Sequence, residues 1–206
     1  MKLLNERNIS KSIIYVFIII MTLMIFSISY IYVKKTNYEF DQEMKIFVAE
    51  YYDKQKELIK KEVEIVMDVI KYNESKTDDE EALKNEAVRL MHNISFQKDK
   101  SNYFFVYDVF NFNGGEKFAR LIVNPNRPDL LGSMISTNYA DINGKKFRED
   151  FMKDIREDGE SYVQYSYKKP FTNTVKKKLS YLKLYPKWNW IISTGVYLDG
   201  IDTVLE

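Results

Sequence analysis

The stretch from Leu179 to Val196, LSYLKLYPKWNWIISTGV, decides the fold of the chain. It holds two runs rich in aromatic and aliphatic residues, Leu179–Leu184 and Trp190–Val196, whose composition is typical of strands. Between them, Pro186 lies in a short segment whose proline and asparagine favour a turn. The stretch therefore predicts two consecutive antiparallel strands, near residues 178–185 and 189–196.

Runs of the same aromatic and aliphatic composition begin after Asp99 and predict three further strands. Gly114 and Gly115 lie between the first two of these runs, as in a hairpin turn. Pro125 and Pro128 end the second run. The three runs are Tyr103–Tyr107, Lys117–Val123 and Ser161–Tyr167. Together with the two strands above, they predict one antiparallel sheet of five strands.

Helical periodicity dominates the chain before Asp99. From Thr36 to about Asn73, apolar residues recur at helical spacing and predict one long stalk helix, with a stutter near Gln55 that argues against a uniform coiled coil. The segment Thr77-Asp-Asp-Glu80 is a capping-box signature and predicts the start of a second helix. The apolar positions are Met44, Phe47, Val48, Tyr51, Leu58, Ile59, Val63, Val66 and Ile70 in the first helix, and Leu83, Ala87, Leu90, Met91 and Ile94 in the second.

A short third helix is predicted between the second and third strands. Phe147, Phe151 and Ile155 form its apolar face, and Gly159 closes it. The order of long helix, hairpin, crossing helix and three antiparallel strands is that of an α+β domain with its helices on one face of the sheet.

The first apolar run, Ile13–Val33, is long enough to cross a membrane. Its 21 uncharged residues reach about 31 Å at about 1.5 Å per residue, close to a hydrocarbon thickness of about 30 Å. A cleaved signal peptide is the alternative, but its apolar core is shorter and ends in a small-x-small site that only Ser27-Ile-Ser29 approaches. Counting Lys and Arg, the positive-inside rule favours a cytoplasmic N-terminus slightly. We therefore predict a cytoplasmic segment 1–12, a membrane helix 13–33, and all later residues outside the cytoplasm.

Composition argues against several classes of function. The 31 basic and 30 acidic residues nearly balance, so no surface for nucleic acid is expected. Cysteine is absent and His92 is the single histidine, which removes disulfides, thiolate metal sites and most general bases. No nucleophile elbow, zincin motif or phosphate-binding glycine loop occurs. We expect no enzyme, no cofactor and no metal site.

Six segments of the second half resemble the single Cache domain family, in particular its type 2 members. They follow the family's order over about residues 100–201, so the set is specific although each motif alone is weak. The segments are Tyr103-Phe-Phe-Val-Tyr-Asp108, Val123-Asn-Pro-Asn-Arg-Pro-Asp-Leu-Leu-Gly132, Asp141-Ile-Asn-Gly-Lys-Lys-Phe147, Gly159-Glu-Ser-Tyr-Val-Gln-Tyr165 with Lys169-Pro170, Lys178-Leu-Ser-Tyr181, and Pro186-Lys-Trp-Asn-Trp-Ile-Ile-Ser-Thr-Gly-Val-Tyr197.

This resemblance implies the extracytoplasmic sensor domain of a bacterial chemoreceptor or sensor histidine kinase in the plasma membrane. The fold expected is α+β: a PAS-like five-stranded antiparallel sheet behind a long N-terminal helix. The stalk and second helix would occupy residues 34–98 and the Cache sheet domain residues 99–206. The family's ligands are mostly small organic acids such as acetate, propionate, pyruvate and lactate.

Family members usually continue into a second membrane helix and a cytoplasmic output module, whereas this chain ends at Glu206. We therefore expect the front part of a longer receptor, homodimeric through its stalk helix. The alternative is a truncated remnant that acts as a non-sensing dimerisation or interaction module.

The resemblance also singles out binding residues. A carboxylate removed from water requires a cation or several donors, and Lys178 occupies the family's lysine position before Ser-Tyr. Arg127 is a second candidate, as a bidentate clamp or else a solvated loop residue, and Asn124 stands where members commonly carry histidine. Tyrosines on the predicted strands would present phenols to the same pocket, or else pack in the core; these are Tyr103, Tyr165, Tyr167 and Tyr181.

Overall fold

A computed structural model of the chain describes residues 6–96, 100–172 and 174–201. It divides into two compact units, residues 1–50 and 51–206. The first unit contains the apolar run, whose residues 13–33 are helical with exposed side chains. Within the described residues, one helix is long and apolar enough to cross a membrane.

Helix α1, Glu6–Glu74, confirms the predicted long helix and begins well before it. In the second unit, Ile59, Val63, Val66 and Ile70 are almost fully buried, as their spacing predicts. Leu58, another of the apolar positions of this helix, is 40% exposed.

Helix α2, Glu80–Asn93, begins later than the capping box indicates. Its N-cap is Asp79, whose carboxylate accepts a hydrogen bond from the Ala82 backbone N–H at 3.0 Å. Thr77 instead accepts from the backbone N–H of Asp79. Leu83, Ala87 and Met91 face the core as predicted.

The five predicted strands are all present, and the described residues add short ones that the sequence pattern did not predict. The main antiparallel sheet has the order β5-β4-β3-β8-β7-β6, in which β5 is a two-residue edge strand. A separate hairpin pairs β1 with β2. The bounds are β1 Ser95–Phe96, β2 Asn102–Tyr103, β3 Phe105–Val109, β4 Ala119–Val123, β5 Met134–Ile135, β6 Glu160–Lys168, β7 Val175–Tyr185 and β8 Trp190–Tyr197.

The helices cover both faces of the sheet, which corrects the expectation of a single covered face. Helices α1 and α2 form one hydrophobic cluster with the sheet. Helix α3, Phe147–Asp158, forms a second cluster on the other side through Phe147, Phe151, Met152 and Ile155. Every residue of β8 is buried, as expected for a strand that is covered on both sides. We call these the α1 face and the α3 face.

Candidate ligand-binding site

Lys178 lies on β7, the strand next to the edge strand β6, and points to the α3 face. It is paired with Tyr165 of β6 and with Tyr197 of β8. Because side chains alternate along a strand, Lys178 and Leu182 share the α3 face, while Leu179 lies on the α1 face. The side chain is 1% exposed, so a primary amine is held inside the domain.

Aromatic rings surround the Lys178 ammonium. Its Nζ lies 4.1 Å from the ring centre of Tyr103, 4.9 Å from Phe105, 5.3 Å from Tyr197 and 5.7 Å from Tyr167. Rings at these distances attract a cation through their negative faces. They replace only part of the hydration that an ammonium loses on burial.

No anion compensates this charge within the part of the chain that the structure describes. Lys178 has neither a hydrogen bond nor an ion pair to residues 6–96, 100–172 or 174–201. Burial alone lowers the pKa of the Lys178 ammonium from 10.5 to about 7. Among the described residues, the site therefore holds a buried amine without an anionic partner.

A small cavity of about 10 Å³ adjoins Lys178. That volume is about enough for a single water molecule, so a larger ligand must displace side chains. Burial raises the pKa of the Tyr103 and Tyr165 phenols well above their usual value, so both stay neutral donors. The lining residues are Tyr103, Phe105, Tyr107, Asn124, Phe147, Tyr165, Tyr167 and Lys178.

Five of the seven candidate residues therefore meet at this cavity: Lys178, Tyr103, Tyr165, Tyr167 and Asn124. Tyr165 stacks on Phe147 with ring centres 4.0 Å apart, and its hydroxyl lies 3.1 Å from Ser180 Oγ. Asn124 is buried, and its side-chain oxygen accepts from the Asn126 backbone N–H at 3.1 Å.

The prediction that Tyr181 contacts this pocket is wrong. Tyr181 lies three positions from Lys178 on the same strand, so it projects to the α1 face. There its hydroxyl donates to Glu160 Oε2 at 2.6 Å. Glu160 also pairs with Lys60 of α1 at 2.8 Å, and these contacts lower the Glu160 pKa to about 2.

Arg127 lines an open cleft of about 920 Å³ next to the cavity, rather than the cavity itself. Its guanidinium is already paired with Asp129, with the shortest contact 2.7 Å, and this hydrogen bonding raises the Arg127 pKa. For Arg127 to bind a ligand carboxylate as a clamp, its ion pair with Asp129 would have to break.

Asn126 bridges the cleft and the cavity. Its side-chain amide donates to the Tyr103 hydroxyl at 3.2 Å and to the Lys168 carbonyl at 3.1 Å. The Tyr197 hydroxyl donates to the same carbonyl at 2.7 Å. Tyr103 lines both the cleft and the cavity.

Sequence reasoning missed Phe105, Tyr107, Phe147 and Tyr197. Side chains alternate along a strand, so Phe105 and Tyr107 lie on the same face of the sheet as Tyr103. This could have been predicted from the sequence. The contact of Tyr197 with Lys178 depends on the register between β7 and β8, which the sequence pattern does not fix.

The described residues thus combine a long helix, an antiparallel sheet and a buried lysine in an aromatic cavity. Residues 50–206 match the family model for Single Cache domain 2. The chain therefore belongs to the single Cache domain 2 family, whose members serve as sensor domains of chemoreceptors and sensor histidine kinases.

Relatives and solved structures agree with this assignment. The chain is 31% identical over 133 residues to the sensor histidine kinase MctS of Rhizobium johnstonii, a match that covers 63% of the chain and 25% of the kinase. It therefore spans about a quarter of that relative's length.

Two solved structures share the fold. One is a methyl-accepting chemotaxis protein from Vibrio parahaemolyticus, with a TM-score of 0.63 and 25% identity over 78% of this chain and 99% of that one. The other is a Cache chemosensory domain described for carboxylic acid recognition, with a TM-score of 0.60 and 21% identity over 73% of this chain and 97% of that one.

Proposed function

We propose that this chain senses a small organic acid, whose carboxylate pairs with Lys178. One observation carries the proposal: the Lys178 ammonium is 1% exposed and has no anionic partner among the described residues. A cation in that position destabilises the empty domain, and a bound carboxylate would supply the missing charge. We assign the chain a binding role rather than a catalytic one, in keeping with a sensory family.

The aromatic surroundings favour a short monocarboxylate. A charge-assisted hydrogen bond from an ammonium contributes roughly 1.5–3 kcal/mol, and the neutral phenols of Tyr103 and Tyr165 can donate to the same anion. The cavity of about 10 Å³ holds about one water molecule, so any carboxylate must displace side chains, and a short acid displaces the fewest. Acids of two or three carbons, such as acetate, propionate, pyruvate and lactate, require the smallest displacement of the surrounding rings. The recognition of carboxylic acids described for one structural neighbour supports this choice.

A thermal-shift panel on the full chain in detergent tests ligand binding. At about one hundred times Kd, a ligand that binds only the folded protein stabilises it by about 2.7 kcal/mol, which raises Tm by several degrees. We expect such a shift at pH 6 with at least one short acid, and none with acetamide, the neutral analogue of acetate. The alternative of a non-sensing dimerisation or interaction module predicts no shift with any of these acids.

We also propose that residues 13–33 cross the bacterial plasma membrane once, with residues 1–12 in the cytoplasm and the sensor domain periplasmic or extracellular. The exposed apolar helix at 13–33 and the receptor relatives support this topology. A reporter that is active only outside the cytoplasm is expected to work when fused after Glu206. Activity of a reporter restricted to the cytoplasm at the same point would overturn the topology.

A homodimer through α1 is proposed from an exposed apolar stripe on that helix. Leu58, Ile65 and Tyr72 recur every seven residues and are 40%, 53% and 62% exposed. Because the natural chain lacks cysteine, Ile65→Cys in membranes is expected to cross-link to a second copy on oxidation. Lys71→Cys, on another exposed face of the helix, is the control. Equal cross-linking of the two variants would exclude this stripe as the interface.

A further inference from the structure

A buried carboxyl group on α1 contacts the sheet directly behind the ligand cavity. Glu62 is 6% exposed, and its Oε2 lies 3.4 Å from the hydroxyl of Thr194 in β8. Within the described ranges, no cation lies at ion-pair distance from Glu62. The same Thr194 hydroxyl lies 3.2 Å from the backbone carbonyl of Tyr103.

The Thr194 hydroxyl cannot donate fully to both Glu62 and the Tyr103 carbonyl. The Thr194 hydroxyl has one hydrogen, and the Tyr103 carbonyl can only accept. If Thr194 donates to Tyr103, Glu62 must be a protonated acid that donates to the Thr194 oxygen. An ionised Glu62 would instead compete with the Tyr103 carbonyl for the single hydrogen. Burial raises the pKa of Glu62 from 4.5 to about 7, so both forms exist near neutral pH.

The neighbouring charges do not substitute for this proton. On α1, Lys60 and Glu64 lie near Glu62, and Glu160 of β6 and Lys183 of β7 lie on the same face of the sheet. These four pair with one another: Lys60 with Glu160 at 2.8 Å, and Lys183 with Glu64 at 3.3 Å and with Glu160 at 3.4 Å. The Tyr181 hydroxyl also donates to Glu160, and β8 presents Thr194 to Glu62.

Resting on the function proposed above, we propose that Glu62 is a proton-dependent positioning residue that couples helix α1 to the ligand cavity through Thr194 and the backbone of Tyr103. Tyr103 forms the ring closest to Lys178 at 4.1 Å and borders the cavity. When Glu62 ionises, the hydrogen bond that holds this strand segment is released and the buried charge weakens the packing of α1. Protonation of Glu62 therefore affects both the ligand cavity and the packing of α1.

The stability change follows from the direction of the shift. Glu62 has a higher pKa in the folded protein, so the folded state binds more protons between pH 4.5 and about 7. Stability that this group contributes at low pH is therefore lost as pH rises through that window. Glu62→Gln retains a donor to Thr194 and cannot ionise, so it should remove this pH dependence. Glu57→Gln, at an exposed position of α1, is the matched control.

Thermal unfolding of the full chain in detergent between pH 5 and pH 8 tests the proton. We expect Tm of the wild type and of Glu57→Gln to fall by several degrees more than Tm of Glu62→Gln. The same pH profile in all three proteins would overturn the proposal.

Hydrogen exchange tests the coupling without any ligand. At pH 8, amides of residues 102–109 are expected to exchange several-fold faster in the wild type than in Glu62→Gln, and at equal rates at pH 5. Equal rates at both pH values would remove the coupling. Propionate titrations of both proteins at pH 7, where about half of Lys178 is still protonated, test whether Glu62 affects ligand binding, with tighter binding expected in Glu62→Gln. If propionate and the other short acids bind neither protein, the proposed ligand class fails, while the exchange rates still decide the role of Glu62.

Discussion

Replacing Lys178 with methionine is expected to stabilise the ligand-free protein at pH 7 and to weaken carboxylate binding. The ammonium is fully buried without an anion among the described residues, whereas methionine fills a similar space without charge. Replacement of poorly compensated buried charges by apolar residues often stabilises proteins, by roughly 1–4 kcal/mol. Thermal unfolding of the full chain in detergent, with and without propionate, measures both effects.

The pH dependence of stability distinguishes removal of the buried charge from a change in side-chain packing. The pKa of Lys178 is about 7 in the folded protein and 10.5 in the unfolded chain, so the unfolded state binds more protons between these two values. The penalty in the wild type is complete below pH 7 and declines as pH rises toward 10.5. The difference between the variant and the wild type should shrink over that window. Lys177→Met, at an exposed neighbouring position, should change little. A destabilised Lys178→Met variant would contradict this description of the site.

Gly195→Ala is expected to destabilise the sheet and to disturb Lys178 at the same time. Gly195 of β8 lies opposite Ser180 of β7. An added Cβ would lie 2.4 Å from Ser180 Oγ, 2.6 Å from the Leu179 carbonyl oxygen and 3.0 Å from Lys178 Cε. Both strands lie within a continuous ladder, so relief by separation is restricted. The expected loss is roughly 1–3 kcal/mol in the free energy of unfolding, as for other overpacked cores, measured by denaturant unfolding.

Gly200→Ala is the control for this substitution. Its added Cβ would lie 3.5 Å from the Tyr51 hydroxyl, an ordinary contact, and its backbone does not require glycine. We expect a change of less than about 0.5 kcal/mol, as at unconstrained positions. Equal stability of the two variants would show that the sheet adapts at Gly195, and would remove the steric reason for glycine there.

Local composition predicted most of the fold because each long strand is dense in aromatic and β-branched residues. The two-residue strands β1 and β5 carry too little pattern to be recognised. The position of α3 on the opposite face was missed, although β8 has no polar alternation and therefore indicates cover on both sides.

The candidate site was predictable only in part. Lys178 was identified by resemblance, and in the described part of the chain its amine is buried without an anionic partner. Tyr181 is three residues from Lys178 on the same strand, so its side chain lies on the opposite face of the sheet. This could have been predicted from the sequence alone. Tyr197 and Glu62 could not be found in this way, because their positions depend on strand register and on how α1 packs against the sheet.

Calorimetric titration of the full chain with propionate at pH 6 tests the central claim most directly. At that pH Lys178 is mostly protonated, since its pKa is about 7. Loss of one charge-assisted hydrogen bond should weaken Kd roughly 10- to 150-fold in Lys178→Ala, since about 1.4 kcal/mol corresponds to tenfold. Lys177→Ala removes the same charge from an exposed position and should bind like the wild type. Equal affinities of the three proteins for propionate, acetate and pyruvate would contradict Lys178 as the carboxylate anchor.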